Sequence, residues 1–159
     1  MKFPRVTGSN LLGEKVTIPD ELPAKFNILI VAFQQWQQRL VNSWVPFLET
    51  LVSEESNVDY YELPTIRGMN RIYQRIIDGG MRAGIPNPET RRRTVTLYID
   101  KEPFRDALEI DSEDDIQILL VDDSGEVQWR ETGSMSDEKK EALLECLRNK
   151  KSREGTILC

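Results

Sequence analysis

Apolar residues occur in short runs along this chain, and the runs alternate between strand-like and helix-like spacing. Residues 26–33 are apolar except for one asparagine, which is typical of a strand buried on both faces. Residues 35–53 and 67–83 repeat apolar side chains every three or four positions, which predicts two helices. The inward residues of the second helix are expected to be Met69, Ile72, Tyr73, Ile76 and Ile77. Runs rich in β-branched and aromatic residues predict further strands at 58–63 and 94–99.

Turn-forming residues locate the remaining elements. Glycine and asparagine make 8–14 turn-like, and 15–18 alternates as a short strand, so we expect an N-terminal hairpin. Residues 116–122 and 126–132 predict a second hairpin around the Asp-Ser-Gly turn at 123–125. Two further helices are expected, at 102–109 and 136–148.

The order of these elements predicts an α/β fold with a mixed central sheet flanked by helices and preceded by a β-hairpin. Pro64 closes one predicted strand, and Pro46 lies inside the first helix, where it should kink the backbone. We expect a single domain over residues 1–148 and a charged, flexible tail over residues 149–159.

The composition excludes several classes of function. The 159 residues carry a formal net charge of −6, which argues against a partner that is nucleic acid. There is no histidine, the usual general base and metal ligand, so we predict no metal and no cofactor. No apolar run is long enough to cross a bilayer, and the first residues lack a signal-peptide core. We therefore expect a cytoplasmic protein.

The chain has two cysteines, which is too few for a disulfide framework. Cys146 falls among leucines of the last predicted helix, where a small apolar side chain would be buried. Cys159 is the terminal residue and should be exposed. We expect both thiols to be reduced, with no disulfide between them.

A strand that ends in an aromatic residue, followed by a helix with an internal proline, resembles the first active-site unit of the thioredoxin superfamily. The interval from Phe33 to Pro46 matches the spacing in thioredoxins, which carry Trp-Cys-Gly-Pro-Cys between these marks. Residues 37–41 here read Gln-Gln-Arg-Leu-Val, so Gln38 and Val41 stand at the thiol positions. This resemblance implies a redox fold without its catalytic cysteines.

A second mark of the thioredoxin-like enzymes is missing as well. They place a cis-proline just before the hairpin strand, beside the thiols, whereas this chain reads Asp115, Ile116 and Gln117 there. A cis bond that does not precede proline costs about 2.5–4 kcal/mol, so a trans bond is the default. The resemblance therefore implies no catalytic residues, and a vestigial site that includes Ile116 and Gln117.

Longer motifs resemble the peroxiredoxin and alkyl-hydroperoxide-reductase branch of this superfamily. An opening Phe-Pro and a Gly turn precede the first core strand, and 119–127 is similar to that branch's Phe-Leu-Ile-Asp-x-x-Gly-x-Val hairpin. The closest pattern is that of the cysteine-less chaperones that assemble mitochondrial ATP synthase. The segments that carry this resemblance are Ser-Trp-Val-Pro-Phe at 43–47, Tyr-Ile-Asp-Lys-Glu-Pro-Phe at 98–104 and Val-Gln-Trp at 127–129.

Amides surround one tryptophan at the expected tip of the vestigial site. Trp36, Gln37, Gln38 and Arg39 lie in the loop and first helical turn after the buried strand. An exposed tryptophan flanked by amides suits a contact with a protein partner, although Trp36 could equally pack into the core. By their periodicity, Trp44 and Trp129 are expected in the core.

Arginines are concentrated in the middle of the chain. This candidate patch for an anion or an acidic partner consists of Arg67, Arg71, Arg75, Arg91, Arg92 and Arg93. The first three recur every fourth residue, which would align them on one helix face. The alternative is that the arginines pair with the acidic segment 100–115 of the same chain.

The sequence is compatible with two functions. The preferred hypothesis is a redox-inactive module that binds a protein partner as an assembly or chaperone factor, and is not an enzyme. The alternative is a thiol peroxidase or disulfide oxidoreductase that uses Cys146 or a cysteine of its partner. The oligomeric state is not specified by any pattern in the sequence.

Overall fold

A computed structural model describes residues 1–68 and 71–153, with the side chains of this part other than those of residues 71–73 and 151–153. The strands within these ranges are β1 (Val6–Asn10), β2 (Lys15–Ile18), β3 (Phe26–Ala32), β4 (Val58–Arg67), β5 (Val95–Ile99), β6 (Gln117–Asp122) and β7 (Val127–Thr132). The helices are α1 (Gln38–Glu54), α2 (Arg71–Gly84), α3 (Pro88–Arg93), α4 (Lys101–Ala107) and α5 (Asp137–Arg153). A 3₁₀ turn, Gln35–Gln37, joins β3 to α1.

The strands form one mixed sheet in the order β2-β1-β5-β4-β3-β6-β7. The central strands β3, β4 and β5 are parallel, whereas β1, β6 and β7 pair antiparallel with their neighbours. The α/β class, the mixed sheet and the N-terminal hairpin are therefore confirmed. Because β3, β4 and β5 run in the same direction, the segments that follow them emerge at one edge of the sheet, where α/β proteins place their sites.

Apolar side chains cover both faces of this sheet. Trp44 and Leu48 of α1 pack on one face together with Leu143 of α5, and all three are completely buried. On the other face, Phe104 of α4 packs edge-to-face against Phe3, with ring centroids 5.7 Å apart. The sheet therefore has a core on each side, as its near-continuous apolar strands require.

The strand predicted at 58–63 is longer than expected and passes through Pro64. The pairing of β4 with β3 ends at Ala32–Pro64, and its continuous pairing with β5 begins at Thr65–Leu97. Proline lacks the amide hydrogen of a ladder bond, and here it lies where the strand changes partner. The predicted end at Leu63 is therefore wrong.

Gly8 lies inside β1, although its neighbourhood was expected to form a turn. A Cβ atom at Gly8 would lie 2.5 Å from the carbonyl oxygen of Thr96 and 2.9 Å from Val95 Cγ1. Glycine is therefore needed for the close approach of β1 to β5 and not for a turn. The turn itself follows at Gly13, whose φ is +84°.

The middle of the chain differs most from the prediction. Residues 86 and 87 lie in a loop, and a short helix that the sequence analysis does not predict, α3, begins at Pro88; Asn87 caps it by accepting from the amide of Glu89 at 2.8 Å. Ile76 of α2, expected to face inward, is 64% exposed. The inward role expected for Met69 lies outside the described residues, and the side chains of Ile72 and Tyr73 do as well.

The last helix continues beyond its predicted end. Asp137–Arg153 is helical, so the first residues of the expected tail belong to α5. Ser136 caps this helix, because its Oγ accepts from the amide of Lys139 at 3.3 Å. Residues 154–159 lie outside the described part.

Candidate functional site

The loop after β3 is fixed by one buried glutamine. Gln37 Oε1 accepts from the amides of Phe33 at 2.8 Å and Gln34 at 3.1 Å, and its Nε2 donates to the carbonyl of Glu113 at 2.7 Å. Gln37 is completely buried, so it shapes the loop and does not offer contact surface. Residues 34–39, called the tip below, are thus tied to the segment that precedes β6.

Glu113 is in turn held by two cations of α4. Lys101 Nζ lies 2.9 Å from Glu113 Oε1, and an Arg105 guanidinium nitrogen lies 3.3 Å from Oε2. All three side chains are largely buried, with 21–27% of each exposed. The same Lys101 lies over the ring of Phe33, 5.9 Å from its centroid. The tip and the segment before β6 therefore form one connected and rigid unit.

Trp36 projects from this unit into solvent. It is 52% exposed, and the guanidinium of Arg39 lies 5.8 Å from the centroid of its ring. Of the two placements that the sequence left open for Trp36, the exposed one is therefore found. Core placement is confirmed for Trp44, which meets the partly buried Trp129 edge-to-face at 6.4 Å.

The residues predicted to stand at the thiol positions differ in exposure. Gln38 is exposed at the first turn of α1, and Val41 is buried at 2%. Ile116 and Gln117 are also buried, and Gln117 Oε1 accepts from Arg130 at 3.0 Å. Trp36, Gln38 and Arg39 are thus the predicted site residues that the tip brings to the surface together.

A small cleft of about 90 Å³ opens beside the tip. Gln38 and Val41 both line it, together with Glu62 of β4, which the sequence analysis did not single out. Glu62 is only 9% exposed, and burial raises the pKa of its carboxyl. The hydrogen bond from Gln38 Nε2, 3.2 Å long, partly opposes this rise, and the charge of Glu49 adds to it.

The first group of arginines does not form the expected helix face. Arg67 is the last residue of β4, and α2 begins only at Arg71, so the spacing of four spans two elements. Arg75 is exposed on α2, and the side chain of Arg71 lies outside the described part. Arg67 lines a polar groove at the sheet edge with Asp100, which caps α4, and with residues of α4.

The second group of arginines is engaged in structural contacts. Arg91 donates to the carbonyls of Ile85 at 2.6 Å and Arg82 at 2.8 Å. Arg92 and Arg93 both pair with Asp59 and with Glu89. Their carboxylate partners are therefore not in segment 100–115, and the predicted pairing of these arginines with that segment is wrong.

Arg92 and Arg93 each also contact a tyrosine. Arg92 donates to the hydroxyl of Tyr61 at 2.9 Å, and the Arg93 guanidinium lies 4.4 Å from the centroid of Tyr60. The side chains of Arg93 and Asp59 are only 11% and 13% exposed. This cluster therefore joins α3 to β4.

Cys146 is 1% exposed in α5, so the burial predicted for this side chain is confirmed. The expectations for Cys159 lie outside the described residues. In the described part of the chain, no helix has the length and apolar character needed to span a membrane.

Comparison with solved structures identifies the fold class of the protein. The chain is similar to Etrx1, an exposed lipoprotein thioredoxin of Streptococcus pneumoniae, with 14% identity, a TM-score of 0.58, and 92% of this chain and 99% of that chain covered. It is similar to StoA of Bacillus subtilis, with 15% identity, a TM-score of 0.54, and 91% and 97% covered. It is also similar to copper-bound ScoI of Arabidopsis thaliana, with 14% identity, a TM-score of 0.61, and 94% and 99% covered. The fold is therefore thioredoxin-like, as the sequence predicted.

The family follows from the sequence itself. Residues 1–149 match the model of the ATP10 protein family, so the chain belongs to that family. The resemblance to the ATP-synthase assembly proteins is thereby confirmed. No curated protein sequence matches the chain.

Proposed function

We propose that this protein is a redox-inactive member of the ATP10 family that binds a protein partner during assembly of the ATP synthase. The observation that carries the proposal is the chemistry of the vestigial site. An amide at Gln38 and an aliphatic side chain at Val41 line its cleft, and neither can attack a disulfide or a peroxide. Family membership supports the assembly role.

The surface proposed for the partner is the exposed part of the tip. Tryptophan and arginine are the residue types most enriched among binding hot spots, and Trp36 and Arg39 stack on one another. The hydrogen bonds of Gln37 hold the loop beneath them in one conformation. A surface ordered in advance loses less entropy on binding, which favours affinity.

Of the arginine patch, Arg67 and the exposed Arg75 remain candidates for steering an acidic partner toward the same edge of the sheet. Arg91, Arg92 and Arg93 are not part of this proposal, because carbonyls and carboxylates of the chain already occupy their guanidinium groups.

No observation favours the thiol-enzyme alternative. A catalytic cysteine must be accessible as a thiolate, whereas Cys146 is only 1% exposed. Similarity to redox proteins at 14–15% identity concerns the fold alone.

Affinity capture tests this proposal. The tagged full chain is recovered from cells that express it, and co-purifying proteins are identified by mass spectrometry with and without a reducing agent. We expect subunits of the ATP synthase, retained when disulfides are reduced. Partners that depend on a mixed disulfide, or measurable reduction of insulin disulfides by the purified protein, would overturn the proposal.

A further inference from the structure

The cleft at the tip contains a carboxylate for which the described side chains provide no cation. Glu62 accepts a hydrogen bond from Gln38 and forms no ion pair with any lysine or arginine of residues 1–68 and 74–150, whose side chains the structure describes. Burying a carboxylate without a cationic partner is costly, and neutral groups usually occupy such positions. Glu62 is therefore a candidate partner for a cationic group of another molecule.

We propose that the Glu62 cleft receives an arginine side chain of the protein partner. This inference rests on the function proposed above and specifies the chemistry of the partner at the tip. The former redox site would thus recognise its partner through an ion pair, at the place where related folds present thiols.

The charges around the cleft complement a cation. The neighbouring Glu49 of α1 adds to the negative potential at Glu62, since its charge raises the pKa of that carboxyl further. Arg39 stacks on Trp36, and no ion pair joins it to Glu62. An incoming guanidinium would therefore meet an uncompensated negative charge.

The lining of the cleft also fits an arginine. Phe33 and Val41 supply apolar walls for the methylene stem, and the amides of Gln34, Gln35 and Gln38 supply acceptors. The cleft volume of about 90 Å³ is that of a small cleft, suited to the head of one side chain. A bulkier group such as a second helix does not fit.

Arginine suits this site better than lysine for two reasons. Its guanidinium presents five N–H donors in a plane, which can satisfy a carboxylate and adjacent amide oxygens at the same time. It is also more weakly hydrated than an ammonium, so placing it beside apolar walls costs less.

The experiment uses the purified full chain and small probes. N-acetyl-argininamide is titrated into protein labelled with ¹³C and ¹⁵N, and the NMR signals of the Glu62 carboxyl carbon and the Gln38 side-chain amide are followed. N-acetyl-lysinamide and the uncharged isostere N-acetyl-citrullinamide are the matched controls. Two variants are compared with the wild type: Glu62→Gln, and Glu54→Gln, which removes one exposed charge from the last residue of α1.

We expect the arginine probe to shift both signals saturably, with the lysine and citrulline probes weaker by about tenfold. The affinity for the arginine probe should fall by a similar factor in Glu62→Gln and should be unchanged in Glu54→Gln. Equal binding of all probes, shifts confined to residues outside the cleft, or equal binding by Glu62→Gln would overturn the proposal. The wild-type titration alone suffices if Glu62→Gln fails to fold.

The test is independent of the assembly role. Probe binding requires no cellular partner, so a failed titration with intact capture of ATP-synthase subunits overturns the cleft proposal alone. Conversely, saturable binding of the probe supports the cleft even if the capture experiment identifies a different partner.

Discussion

Gln37 Nε2 donates to the backbone carbonyl of Glu113 at 2.7 Å, across 76 positions of sequence. The bond joins the loop that carries the thiols in thioredoxin-like enzymes to the segment that carries their cis-proline. In the described part of this chain, the one cis peptide bond is Ile18–Pro19, remote in sequence from both segments. A neutral amide thus fixes the loop after β3 against the segment before β6.

Replacing this amide should destabilise the fold. Gln37→Ala leaves the amides of Phe33 and Gln34 and the carbonyl of Glu113 without their partner. We expect a loss of about 1–3 kcal/mol in the free energy of unfolding, measured by urea denaturation. The exposed neighbour Gln35 provides the control, since Gln35→Ala should change little. Equal stability of the two variants would show that the Gln37 bonds contribute nothing.

The tryptophans should respond in opposite ways to truncation. Trp44 is completely buried and donates from Nε1 to the carbonyl of Gly133 at 2.9 Å, so Trp44→Ala should cost about 3–5 kcal/mol. Trp36 is 52% exposed, and its truncation should leave the unfolding midpoint nearly unchanged. Thermal unfolding, monitored by circular dichroism, measures the stability of both variants. A large loss of stability in Trp36→Ala would mean that this residue has a structural role instead.

Glu62 should make stability depend on pH. Because burial raises its pKa, the folded protein holds this proton more tightly than the unfolded chain does. Its contribution to the free energy of unfolding is therefore present below 4.5, the ordinary value for glutamate, and is lost as the pH rises through the folded pKa.

The variant Glu62→Gln cannot ionise, so it should be more stable than the wild type at neutral pH and equally stable in acid. Urea unfolding at both pH values, with Glu54→Gln as the control, measures the difference. If Glu62→Gln and the wild type differ in the free energy of unfolding by the same amount at neutral and at acidic pH, ionisation of Glu62 is not the cause. A more stable variant that no longer binds arginine would fit a site kept for function at the expense of stability.

The cluster around Asp59 should be essential to the fold. Arg93 pairs with Asp59, donates to the carbonyl of Tyr60 at 2.9 Å and stacks on its ring. Arg93→Ala leaves a largely buried carboxylate with a weaker partner, and we expect a cost of about 3–5 kcal/mol. The exposed Arg75→Ala is the matched control and should cost little. Repeating both measurements at several salt concentrations distinguishes a buried ion pair from an exposed charge. The loss of stability in Arg93→Ala should change little with salt, because salt screens buried pairs weakly.

The strands and the fold class could be predicted because apolar alternation and turn residues specify them locally. The start of α3 carries a sequence signal that the analysis does not use, since Asn87 is followed by proline, but the two prolines around Asn87 equally suit the loop that precedes the helix. Gly8 was misassigned because glycine serves both turns and close strand packing, and only the position of Thr96 distinguishes the two. Pro64 was misread for a similar reason, since the change of strand partner at that residue is a tertiary feature.

The candidate site was predicted only in part. Local sequence indicates that Gln38 and Val41 replace the expected cysteines and leaves the placement of Trp36 open, whereas the burial of Gln37 depends on Glu113, far along the chain. Glu62 did carry a signal, because strand alternation places it on the same face as the buried Val58 and Tyr60. An acid at an inward position of a strand is therefore worth following as a site candidate.

The most direct test of the account measures partner binding by the tip. Wild-type protein, Trp36→Ala and Leu12→Ala are compared for capture of the ATP-synthase subunit identified with the wild type. Leu12 is a matched control, because it is 47% exposed and follows β1, whose last residue pairs with the beginning of β5 at the opposite edge of the sheet. We predict that Trp36→Ala, with its fold verified by circular dichroism, loses affinity by about tenfold or more, and that Leu12→Ala binds normally. Undiminished binding by folded Trp36→Ala would contradict the account.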